Sequence, residues 1–239
     1  WKKWAPVIVD LTPLSGHSSH DFKKLLLSRC FEKAEAEVIE SILLKTDFQE
    51  EDIVFLNHYN YLWSNGFEKE LLKRFNKKDT SEKARAAYLE FMGTAKSSKV
   101  PKIAYDSIKG RKQYPNLALQ ASTALLKSYL PVEWEKFWDI LRKDIPFAKD
   151  VFMTFAAQSH SFGRGIPNSI ANLKPDNLAD LYIFLQRHFP SSEDSKKEGF
   201  LAVTPRESVA ELRNGILGYL RQEGTLSAVM TMKKISDSF

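Results

Sequence analysis

The chain has a single cysteine, Cys30, among 239 residues. That excludes an internal disulfide and suits a reducing compartment, so the cytoplasm is the expected location. Glycine and proline are scarce, 10 of each, below the ~12% of average usage. So few turn-formers favour long helices over many short strands. Long apolar runs are missing too. The longest stretch without a charge, Ile53–Phe67, has fifteen residues and carries His58 and asparagines. A membrane span needs ~20 largely apolar residues, so no membrane partner is expected. The start does not read as a signal peptide, because Lys2 and Lys3 precede only the short run Ala5–Val9. It opens on Trp1 rather than Met, as an excised piece of a longer protein would.

What is present is a globular composition, 43% hydrophobic and 27% charged, enough at this length to bury a substantial core. The net charge of +5 is uneven. Between Phe67 and Lys112 there are thirteen Lys/Arg against six Asp/Glu, a local +7 that leaves the remainder at −2. Any electrostatic attraction to nucleic acid belongs in this middle third, and the alternative reading of the stretch is a solvated helical surface. The residues expected to contact a partner are Lys73, Arg74, Lys77, Lys78, Lys109, Arg111 and Lys112, with Arg164 from a later glycine-containing turn. Lysine outnumbers arginine here, and arginine is the better phosphate reader, so nucleic-acid binding is expected to be weak and non-specific at most.

Apolar spacing reads as helix almost throughout. Phe22, Leu25, Leu26 and Arg29 mark one helix with Ser19 as its cap. Phe31, Ala34, Val38, Ile39, Ile42 and Leu43 stripe another from about Phe31 to Thr46. Ala84, Ala87, Tyr88, Phe91, Met92 and Ala95 follow Asp79 and Glu82, which have the spacing of a capping box. Trp134, Phe137, Trp138 and Leu141, continued by Phe147, Val151, Phe152 and Phe155, read as core rather than a base-stacking platform, because the charges beside them are mixed. Thr204-Pro205-Arg206-Glu207 is the clearest helix start, leading into Val209, Leu212, Ile216, Leu217 and Leu220 and ending at Gly224. Thr225 caps a last helix carrying Leu226, Val229, Met230 and Ile235. Trp4–Val9, with its proline, reads as extended. Loops are expected at Lys109–Tyr114, Ser159–Lys174 and Ser191–Val203. A faint repeat relates Asn116–Pro131 to Asn177–Pro190.

Reactive constellations do not emerge. Gly163-Arg164-Gly165 lacks the Lys-Ser/Thr of a phosphate-binding loop and follows no strand. His17 and His20 would need two further ligands for zinc, and Cys30 is the only thiol, so they read as a solvated loop and no metal is expected. Ser159-His160-Ser161 has neither the flanking glycines nor the strand of a nucleophile elbow. His188 falls in the last turn of a helix, where a partly positive imidazole suits the dipole. No cofactor and no enzymatic activity are expected of this chain.

One block resembles a known family. The string Leu178-Ala-Asp-Leu-Tyr-Ile-Phe-Leu-Gln-Arg-His-Phe-Pro190 continues through an acidic loop, Val203-Thr-Pro-Arg-Glu207, Val209-Ala-Glu-Leu-Arg213 and Gly224-Thr-Leu-Ser-Ala228. It resembles the helical-repeat region that follows the NTPase module in bacterial NACHT-type STAND NTPases, relatives of NOD-like immune receptors. It departs from that family's pattern in carrying Phe184 where a Trp is usual, and every NTPase motif is missing. The resemblance covers about a quarter of the chain and brings no catalytic residues. It implies the sensor or C-terminal part of an anti-phage defence protein, recognising a protein ligand such as a phage protein.

The fold expected is all-α, an irregular HEAT-like helical repeat (an α-solenoid) of ten to twelve helices. Residues 1–112 would form an N-terminal helical segment with the basic stretch, and 113–239 the repeats that carry the resemblance, in one continuous solenoid. The function expected is non-enzymatic protein recognition. The alternative is a helical nucleic-acid binder using residues 67–112.

Overall fold

The computed structural model of the chain describes residues 1–11, 20–48, 56, 59–129, 133–158, 166–194 and 204–239. Among these are thirteen α-helices and three 3-10 turns, and no strand. The architecture is all-α, consistent with a helical repeat. The chain forms two compact units, Trp1–Ala121 and Ser122–Phe239.

Unit 1 contains α1 (Ala5–Asp10), α2 (His20–Lys33), α3 (Glu35–Phe48), α4 (Asn65–Phe75), α5 (Glu82–Thr94), α6 (Val100–Lys109) and the first half of α7 (Pro115–Ser128). The first three pack on one another. From there α3 meets α4, α4 meets α5 and α5 meets α6, each helix covering its neighbour's apolar stripe. Residues 5–9, expected to be extended, are helical instead. Pro6 falls in the first turn, where its missing N–H costs no hydrogen bond, and Ala5, Ile8 and Val9 are buried.

The single helix expected from Phe31 onward is divided at Ala34. Hydrogen bonds still cross the break, from the Ala34 N–H to the Cys30 carbonyl (2.8 Å) and from Val38 to Ala34 (3.0 Å). No glycine or proline marks it, so spacing alone runs straight through. On α2 the buried face is Leu27 and Cys30, whereas Phe22 is 70% exposed and Leu25 58%. Ser19 lies outside the described residues. At α5 the cap is Ser81, whose Oγ accepts from the Ala84 N–H at 3.1 Å, rather than Asp79.

Unit 2 holds the rest of α7, then α8 (Trp134–Lys143), α9 (Ile145–Gln158), the single turn α10 (Asn168–Ala171), α11 (Pro175–His188), α12 (Pro205–Glu223) and α13 (Leu226–Ser236). α8 packs on α9. α12 packs on α9, α11 and α13, and α11 and α13 also meet. Of the aromatic stripe, Trp134, Phe137, Trp138, Leu141, Val151, Phe152 and Phe155 are buried as expected, while Phe147 is only half-buried. Phe184 of α11 joins it, 5.5 Å from Trp138 edge-on and 5.6 Å from Phe152. The two segments of the faint repeat become α7 and α11, each of 14 residues and each opening on proline.

The start of α12 folds as its sequence predicts. The Thr204 hydroxyl accepts from the Glu207 N–H at 3.2 Å, and Glu207 Oε2 accepts from the Thr204 N–H at 2.6 Å. The helix ends on Gly224 at φ +59, and Thr225 caps α13 through the Ala228 N–H. The face of α13 is another matter. Leu226, Val229 and Met230 are exposed, and Ala228, Thr231 and Ile235 are buried. Lys234 reaches Asp180 (3.0 Å) and Asp176 (3.4 Å) on α11, an attraction that favours this orientation.

Candidate partner-binding surface

Two inter-helix turns come together at one end of unit 1. α4 finishes on Lys73-Arg74-Phe75, and the chain turns through residues 76–81 into α5. The turn is held by its own polar side chains. Asn76 Nδ2 donates to the Leu72 carbonyl at 2.8 Å, and the Thr80 hydroxyl to the Arg74 carbonyl at 2.6 Å. α6 finishes on Lys109, and residues 110–114 turn into α7, with the Tyr114 N–H donating to the Gly110 carbonyl at 3.1 Å.

Arg85 joins the two turns. Its Nη2 donates to the Lys77 carbonyl at 2.9 Å, and its guanidinium lies over the Tyr114 ring with 5.6 Å to the centroid. A second tie is the Glu82 carboxylate, which accepts from the Leu117 N–H at 2.9 Å. The result gathers Lys77, Lys78, Lys83, Lys109, Arg111 and Lys112 around one end of the unit. Of the acids beside them, Glu82 is engaged by the Leu117 amide and Asp106 by Lys109 at 3.4 Å, leaving Asp79 exposed.

The expected contact residues divide. Lys77, Lys78 and Lys112 are exposed, and among the described residues none of the three is in an ion pair. Lys73 is exposed but pairs with Glu70 at 3.1 Å. Arg111 is half-buried and donates to the Ile108 carbonyl. Arg74 turns inward. Its side chain is only 7% exposed, and it pairs with Glu40 (2.8 Å) and Glu70 (3.4 Å) as an internal brace. Arg164 lies outside the described residues. Lys83 and Arg85 were not singled out, although their place in the first turn of a helix that follows Lys77 and Lys78 was the available signal.

The described residues of the block at 178–228 hold a second constellation, and Arg206 and Arg213 in it work inward. Arg213 is buried; it donates to the Phe189 carbonyl and pairs with Asp194. Arg206 donates to the Pro190 carbonyl at 2.7 Å, pairs with Asp194 at 3.4 Å and lies 5.2 Å over the Phe189 ring. Together they pin the segment after α11 onto α12.

His188 sits in the last turn of α11 as expected, but its imidazole is not favoured as a cation. Partial burial, then the charges of Lys149 and Arg187, push its pKa below the usual histidine value. Burial raises the Cys30 thiol, which leaves it a core residue. His17, His58 and His160 lie outside the described residues. No group of metal-ligating side chains occurs among the described residues. Nor is any of the described helices long and apolar enough to cross a membrane.

Fold and surface together define an all-helical protein with a lysine-rich end on its first unit. No protein family, no curated protein and no solved structure matches the chain.

Proposed function

We propose that the chain is a non-enzymatic recognition module that binds a protein ligand in the cytoplasm. The observation that carries this reading is the convergence of the turns at 76–81 and 110–114. Stacked helices recognise partners in this way, because side chains distant in sequence arrive on one continuous surface. The parent we propose is a NACHT-type STAND NTPase of anti-phage defence, in which this module senses the ligand. That part of the proposal rests on the block from Leu178 to Ala228, whose buried Arg213, capping box and left-handed Gly224 give the resembling residues scaffold roles.

The parent reading frame tests the assignment. A phosphate-binding loop encoded upstream of Trp1 is the expected result, and a parent with no NTPase module would overturn it. The chain by itself is expected to bind no ATP. A calorimetric titration with measurable ATP affinity would remove the non-enzymatic reading.

A further inference from the structure

We infer that the lysine-rich end of unit 1 docks an acidic segment of its partner, one rich in Asp and Glu. The inference deepens the recognition reading above and rests on it. Lys77 and Lys78 come from one turn, Lys112 from the other, and Lys83 from the helix between them. All four are exposed, and among the described residues none is in an ion pair. Their ammonium groups are therefore available to a partner, on stems flexible enough to follow an irregular row of carboxylates. The positive field of such a cluster would speed encounter with an acidic chain and discourage basic ones.

The same geometry argues against nucleic acid as the natural occupant. Reading a phosphate backbone with precision uses arginine forks, and base recognition by a single strand uses open aromatic faces. Here Arg74 is turned inward on Glu40 and Glu70. Arg85 is spent on the Lys77 carbonyl and the Tyr114 ring, and Arg111 donates to the Ile108 carbonyl. Arg85 also covers one face of Tyr114, the aromatic of the second turn. What remains exposed is point charge, which carboxylates satisfy without a planar partner.

The test uses a fluorescein-labelled polyglutamate peptide and the full chain, read by anisotropy. The triple variant Lys77→Glu, Lys78→Glu and Lys112→Glu is compared with Lys143→Glu, Lys174→Glu and Lys233→Glu, an equal charge change placed on unit 2. Thermal melts confirm that both triples fold. The wild type should bind the peptide in a salt-dependent manner, the first triple should weaken binding by about 10-fold or more, and the second by less than about 3-fold. Absence of binding by the wild type would overturn the proposal, as would equal losses in both triples. Duplex DNA that binds more tightly than the peptide, and loses that binding in the first triple, would also overturn it and make the partner a nucleic acid. Because peptide binding is indifferent to the parent protein, it can fail while the parent frame still supplies an NTPase module, and the reverse.

Discussion

Arg74 on α4 donates to Glu40 on α3 across 2.8 Å while nearly all of its side chain is removed from solvent. A guanidinium stays charged even when buried this far, so its two carboxylates offset its desolvation, and removing it leaves Glu70, itself only 24% exposed, with Lys73 alone. Arg74→Ala should therefore lower stability by about 2–4 kcal/mol, somewhat less than a fully buried pair because Glu40 is half-exposed. Lys73→Ala, one residue away and on the surface, should change it by less than ~0.5 kcal/mol. Urea melts giving the two variants the same midpoint would show that Arg74 does not brace the unit.

A second buried cation ties unit 2. Arg213→Leu should cost about 3 kcal/mol, since it takes the buried donor from the Phe189 carbonyl and leaves the Asp194 carboxylate with Arg206 alone. Asp194→Ala should be costly too, and the double variant should cost clearly less than the two singles together. Strict additivity in a double-mutant cycle would mean the two residues act separately.

Acidity should weaken unit 2 through His188. Its pKa is lowered by burial, by Lys149 and by Arg187, so the unfolded chain binds the proton more readily than the folded one. Stability from this group is complete above the unfolded value and declines as pH falls through about 6.5. His188→Gln should flatten the pH dependence of the melting temperature between about pH 7 and 5. An unchanged slope there would assign the acid sensitivity elsewhere.

The orientation of α13 can be checked by substitution. Ile235→Ala, at a buried site, should cost about 2 kcal/mol or more, whereas Leu226→Ser, largely in solvent, should cost less than ~0.5 kcal/mol. Gly224→Ala should cost about 1 kcal/mol, because φ +59 suits glycine and strains alanine. If Leu226→Ser proved the most damaging of the three, the apolar face would be the one spacing predicts.

Spacing read the fold well wherever one element alone decides the outcome. Thr204, Pro205 and Glu207 satisfy each other locally, so that helix start was legible, as was the Trp134–Leu141 stripe with its single apolar face. It failed where two faces compete. Of the α13 stripe only Ile235 is buried; Leu226, Val229 and Met230 face solvent, and the packed side carries Ala228 and Thr231, with Lys234 meeting Asp176 and Asp180, residues distant in sequence. The basic surface was legible as a charge excess but not as a shape. Nothing local distinguishes Arg74, drawn inward by Glu40, from Lys77 and Lys78 beyond it.

The packing of α12 has a kinetic consequence. In unit 1, α5 and α6 each meet the helix just before them, across turns of six and five residues, so these connections close at little entropic cost. In unit 2, α9 must wait for α12, with α10 and α11 lying between them in the chain. Loop-closure entropy is then lost before the contact can return it, which slows folding. Unit 1 should thus order first after release from the ribosome. Synthesis halted before Pro205 would leave unit 2 with α8, α9 and α11 but without the helix on which α9 and α11 meet.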